Sequence, residues 1–173
     1  QTSIRLGRKL FTSAHPDYFN MYFLNELLGG YFGSRLMQNI REDKGYTYGI
    51  SSSIVNFKYE GYFVIGTDVK KEVTEQTIDE IYKEIRLLKE AYVSENELET
   101  VRNYMLGSFV NSISNPFAIA DKFKTIQFNG LDYSFYQNYF KAIQTISAET
   151  IHETATKYLD ENAISESIAG DLK

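Results

Sequence analysis

Two side chains seven residues apart, Arg41 and Tyr48, are the groups in this sequence best suited to handling a substrate. Guanidinium and phenol both donate hydrogen bonds, and at neutral pH one stays charged while the other stays un-ionised. They are donors rather than bases. Aimed at a carbonyl oxygen gaining charge in a dry site, one such donor typically contributes roughly 3 kcal/mol to transition-state stabilisation. The competing reading is structural: Arg41 pairs with Glu42 or Asp43 on a solvated helix end, and Tyr48 belongs to a sheet face. Spacing alone favours that reading, because most surface arginines and strand tyrosines are of this kind.

Other chemistries lack their parts. A zinc hydrolase needs three protein ligands, commonly two histidines on one helical turn with a carboxylate, and the only histidines are His15 and His152. His152-Glu153 opens like HExxH, but the closing position is Thr156, so both read as face residues of a helix. Neither histidine lies in a nucleophile-elbow context for a serine triad, and without cysteine there is no thiol chemistry. Gly29, Gly30 and Gly33 follow a helix rather than a strand, and no Lys-Ser or Lys-Thr pair closes a phosphate loop; they read as helix stop and turn.

The elements that must hold Arg41 and Tyr48 follow from periodicity. Gln1 to Phe11 alternates like a strand, and Pro16 stands where a first helical position would put it. Tyr18, Phe19, Tyr22, Phe23, Glu26 and Leu27 fall at helical spacing, with Gly29-Gly30 supplying a left-handed stop. Ser34 is a candidate cap for a short helix carrying Arg41, and Gly45 lets the next strand begin. Gly45 to Phe57 and Tyr59 to Val69 read as a hairpin through Lys58, with Tyr48, Ile50, Ser52 and Ile54 on one face and Phe63, Ile65 and Thr67 on another.

The second half is helical. Val73, Ile78, Ile81, Tyr82, Ile85 and Leu88 make an apolar stripe, and Ser94 with Glu97 forms a capping box. Asn115-Pro116 starts a further helix ended by Asn129-Gly130; Ser134 and Ser147 are candidate caps for two more, and Ala163 to Ala169 is the last strand. The order predicts an α+β fold: a mostly antiparallel sheet of about four to six strands with helices packed on one face.

Composition sets the bounds. The 173 residues fit a single domain, 1–173, able to bury roughly 70% of its unfolded surface. With 14 Tyr, 12 Phe and no Trp, the core is aromatic-rich, as in a soluble globular domain. A net charge of -5 argues against a general nucleic-acid binder and favours protein or peptide partners. The absence of cysteine suits a reducing cytosol and an oxidising periplasm alike, so compartment stays open. No apolar run approaches the ~20 residues of a membrane span, and no leader resembles a signal peptide. Opening without Met on a patterned strand, the chain reads as an excised piece of a longer polypeptide.

The segment Leu24 to Ser52, LNELLGGYFGSRLMQNIREDKGYTYGISS, resembles the signature of the C-terminal half-domain of pitrilysin-like (insulinase family) zinc metallopeptidases, a group that includes mitochondrial processing peptidase subunits. Gln1 to Gly7, His15 to Tyr18, Gly61 to Asp68 and Ser94 to Gly107 extend the match over nearly the whole chain. The resemblance implies a half-domain without metal, facing a sister half that carries zinc on an inverted HxxEH motif. Tyr48 would then donate to the scissile carbonyl and Arg41 would clamp the backbone of an extended peptide, while Gly29, Gly30, Gly33 and Gly45 shape the turns. These residues alone are not expected to hydrolyse peptides. Two other readings are a structural or assembly module of the same fold, and an independent peptide-binding module using an open sheet edge.

Overall fold

A computed structural model of the chain describes residues 1–170. Four strands form one fully antiparallel sheet in the order β2-β3-β1-β4: β1 Thr2–Leu10, β2 Thr47–Asn56, β3 Gly61–Val69 and β4 Ser165–Gly170. The chain's last described strand therefore lies beside its first, with Ile4 opposite Ile168, while β2 forms the other edge.

One face of the sheet is apolar. Ile4, Leu6, Phe63 and Ile65 are fully buried there beneath α1 (Tyr18–Asn25), α2 (Thr74–Glu90) and α6 (Ala148–Tyr158). Arg5, Ser51, Ser53, Tyr62, Asp68 and Ser167 point the other way and are exposed, so the helices form a single layer on one side. The α+β architecture expected from the sequence is what is found. Three further helices, α3 (Glu95–Asn111), α4 (Pro116–Phe128) and α5 (Ser134–Thr145), complete that layer. Among the described residues, no helix is long and apolar enough to cross a membrane.

Several local expectations are corrected. Pro16 lies outside α1, because Asp17 occupies the N-cap and the helix begins at Tyr18. Gly29 and Gly30 have no left-handed backbone; α1 runs on into a π-helical turn, Glu26–Gly30. Glycine is needed there for space, since a Cβ on Gly29 would lie 2.7 Å from the backbone nitrogen and hydroxyl of Ser52 on β2. Gly33 likewise has no positive φ and lies against the Tyr31 ring. The Ser34 hydroxyl is buried without a hydrogen-bond partner and so caps nothing. Ser134 is the first residue of α5 rather than its cap; Asp132 Oδ1 accepts the Ser134 amide instead, at 2.7 Å.

Other signals hold. Ser94, Asn115 and Ser147 each accept an N-terminal amide of their helix. The capping box is half made: the Glu97 carboxylate turns away from Ser94 to accept from Arg35, with Nε···Oε1 2.7 Å and Nη2···Oε2 2.8 Å. That two-pronged ion pair joins the segment after Gly33 to α3.

Candidate functional site

Arg41 rides on a second π-helical stretch, Met37–Asp43. Ile40 and Met37 anchor one side of it in the core, and Asn39 Nδ2 donates to Glu80 and Glu84 of α2 at 2.9 and 2.7 Å. Lys44 adds an ion pair to Glu80 at 3.1 Å. The segment ends at Gly45, whose φ of +63° is the left-handed stop expected at the Gly-Gly pair. Its amide and that of Tyr46 donate to the carbonyls of Arg41 and Ile40, at 3.2 and 3.0 Å, which closes the helix before β2 starts.

The Arg41 guanidinium is bonded to the Glu42 carboxylate, and its carbon lies 4.6 Å from the centre of the Phe32 ring. The structural expectation for this arginine, a pair with Glu42 or Asp43, thus occurs with Glu42. Phe32 is 62% exposed, so the cation rests on a solvent-facing ring.

Tyr48 departs from simple alternation. Thr47 pairs with Val69, and the next register pair is Ile50 with Thr67, so Tyr48 and Gly49 together face the single residue Asp68. This is a β-bulge, which turns the phenol out to 96% exposure. Tyr48 therefore does not share the face of Ile50, Ser52 and Ile54. Those three stand opposite Thr67, Ile65 and Phe63 on the same core-facing side, rather than on separate faces.

A hydroxyl clasp holds the bulge. Thr47 Oγ1 accepts the Gly49 amide at 3.2 Å and lies 2.8 Å from the Asp68 carbonyl oxygen. Thr67 Oγ1, buried beneath, lies 2.9 Å from both Thr47 Oγ1 and the Gly49 carbonyl oxygen. The sequence pattern placed Thr67 on a sheet face but gave neither threonine this role. The available signal was two β-branched hydroxyl residues on adjacent strands flanking a Tyr-Gly step.

The residues present do not fit a zinc site. Among the described residues, no three His, Cys, Asp or Glu side chains converge on one point. His15 stacks on Phe11 at 4.0 Å and its Nδ1 accepts the Asp17 amide at 3.1 Å, while His152 lies on α6 against Tyr92.

Comparison with known proteins gives the family. The family described as the peptidase M16 inactive domain matches residues 1–105. An uncharacterized zinc protease, YmxG, of Bacillus subtilis is 30% identical over 115 residues, 66% of this chain and 28% of that protein. A non-peptidase homolog, also YmxG, of Helicobacter pylori is 26% identical over 85% of this chain and 34% of its own length. The chain thus spans about a third of the curated relatives it matches. The crystal structure of a peptidase M16 inactive domain from Pseudomonas fluorescens superposes with a TM-score of 0.88 at 25% identity, over 98% of this chain and 40% of that one. The inactive peptidase domain of a zinc protease from Bordetella parapertussis shares the fold, with a TM-score of 0.84 at 14% identity over 98% of this chain and 92% of that one. With the family model matching residues 1–105, a relative 30% identical and the fold shared, this chain belongs to the peptidase M16 inactive-domain family.

Proposed function

We propose that this chain is the non-zinc half of a peptidase in which Tyr48 donates a hydrogen bond to the scissile carbonyl and Arg41 holds the substrate backbone, at a zinc carried by a sister half. The observation that carries the reading is the bulge at Tyr48: a strand edge spends a backbone irregularity and two buried or half-buried hydroxyls to present one phenol, unpartnered, to solvent. Such devices re-aim side chains beside active sites. A phenol supplies a hydrogen-bond donor to a carbonyl oxygen as charge develops on it. Arg41 lies near the end of the π-helical stretch that precedes β2, and its bond to Glu42 is one that a peptide carbonyl or carboxylate can exchange for.

The test is Tyr48→Phe in the full polypeptide or with the partner half supplied. Turnover should fall by about a hundredfold while peptide affinity stays within about threefold, since a donor used mainly in the transition state shows in turnover. Arg41→Ala should weaken peptide binding itself. Equal turnover for Tyr48→Phe ends the assignment.

A second reading, a scaffold that only makes contacts, has specific support. Arg41 is already engaged by Glu42 and Phe32, and one relative is described as a non-peptidase homolog. On that reading both substitutions leave every activity of the assembly unchanged. A stand-alone peptide-binding module would instead bind extended peptides without any partner, which titration of unfolded peptides into this chain separates from the other two.

A further inference from the structure

Away from Arg41 and Tyr48, neither of which lines it, a cavity of about 370 Å³ opens among α1, α3, α4 and α5. Its size falls in the range that accepts small organic ligands. Tyr18, Tyr22, Phe109, Phe135, Tyr136 and Tyr139 give it a mostly aromatic wall. Many of these rings touch edge-to-face or tilted, with Phe109 5.5 Å from Tyr139 and 5.6 Å from Tyr136.

Two polar groups in that wall lack the partners their chemistry calls for. Lys122 Nζ lies over Phe109 at 4.8 Å and Tyr136 at 5.8 Å, and no carboxylate among the described residues is within ion-pair distance. The adjacent Asp121 is taken by Lys124 at 2.7 Å. Burial pushes the Lys122 amine below its ordinary value, as expected for a cation short of solvent and counter-charge. Asn56, at the end of β2, donates from Nδ2 to the Tyr18 hydroxyl at 3.1 Å, while its Oδ1 is buried with no partner. A buried acceptor left in that state is destabilising until something donates to it.

We propose that this cavity binds a small apolar group bearing one carboxylate, with the anion on the Lys122 ammonium and the hydrocarbon or aromatic body among the rings. A tyrosine-rich wall also suits cationic ligands, but Lys122 already occupies the ring faces and repels a second cation. A single ammonium matches a monoanion better than a phosphate, which calls for several donors. Asn56 Oδ1 then accepts an N–H or O–H from the same ligand or from a water it carries. Either a free carboxylic acid or the C-terminus of a peptide ending in an apolar residue supplies this chemistry.

Calorimetric titration of the chain with 4-phenylbutyrate, 4-phenylbutan-1-ol and 4-phenylbutylamine at neutral pH tests it. The acid should bind at least tenfold more tightly than the alcohol, and the amine should not bind. Lys122→Gln should erase the acid's advantage while leaving the alcohol unchanged, and Lys122→Arg should keep it. Should Lys122→Gln not fold, Ser108→Leu puts bulk into the cavity with Lys122 in place and should abolish binding of acid and alcohol together. An acetylated tripeptide ending in Phe, compared with its C-terminal amide, tells the sources apart: competition by the peptide acid alone assigns the C-terminus, and no peptide binding assigns the free acid. No binding of the acid, equal binding of acid and alcohol, or full affinity in Lys122→Gln overturns the proposal. None of these outcomes depends on the role of Tyr48.

Discussion

At the scale of single residues, the hydroxyl clasp is what makes the Tyr48 position specific. Thr67→Val keeps shape and removes a buried hydroxyl that lies within hydrogen-bond distance of Thr47 and the Gly49 carbonyl. It should cost about 1 kcal/mol in a urea melt and speed amide exchange at Gly49, whereas Thr67→Ser should hold both near wild type. A second residue-scale prediction concerns Glu26, which is only 9% exposed and whose carboxyl burial pushes above the usual range. A group with a raised folded pKa contributes stability that is fully present below its unfolded value and is lost as pH rises through the folded one. Glu26→Gln should therefore be more stable than wild type at pH 7, with the gap closing toward pH 4 when urea midpoints are compared. A gap constant with pH would mean the amide acts through packing alone. The pairing of Arg41 with a neighbouring carboxylate was legible in the sequence, and it occurs with Glu42. The outward turn of Tyr48 was not, because alternation counts residues one by one and a bulge adds one without changing residue type.

At the scale of elements, the glycines divide by mechanism. Gly29 sits where a methyl would meet backbone and side chain of Ser52 at 2.7 Å, so Gly29→Ala should lose about 1–3 kcal/mol by forcing the π-helical turn off β2. Gly45 has open space but a φ of +63°, and Gly45→Ala should lose about 1–2 kcal/mol through backbone strain alone. Gly49 has neither constraint, and Gly49→Ala should melt within about 0.5 kcal/mol of wild type. Thermal or urea unfolding of the three variants checks the ranking; a Gly29→Ala as stable as Gly49→Ala would show that the helix end relaxes freely. Helix existence and most caps were readable because Ser94, Asn115 and Ser147 act through the next three residues of their own chain. The π-helical turns were not, since they arise where the helix ends meet β2 and α2, through contacts such as Gly29 with Ser52 and Asn39 with Glu84. Local spacing carries no record of those partners.

At the scale of the whole molecule, the sheet and the helix layer differ in how completely they are covered. The core face of β1 and β3 is covered while β4 stays largely exposed, and α4 buries only Ile126 and leaves Phe117 83%, Phe128 73% and Ile119 54% exposed. Val110, Ile113 and Tyr133 on its flanks are exposed too, so apolar surface continues across the junction of α3, α4 and α5. Exposed apolar side chains grouped in this way are the kind of surface that a second folded body covers. This chain corresponds to about a third of its curated relatives, and the remainder of such a polypeptide is the occupant the proposed half-domain role requires. Two measurements then move in opposite directions. In this chain alone, Phe117→Ser with Phe128→Ser should reduce self-association in sedimentation velocity and leave the melting temperature nearly unchanged, because neither ring is buried. In the full polypeptide the same pair should destabilise, by about 1.5–3 kcal/mol for each ring whose burial is lost. Neutrality in both settings would mean that α4 faces solvent throughout and that the sister half docks elsewhere, on the sheet edge that carries Tyr48 or on the opposite edge at β4.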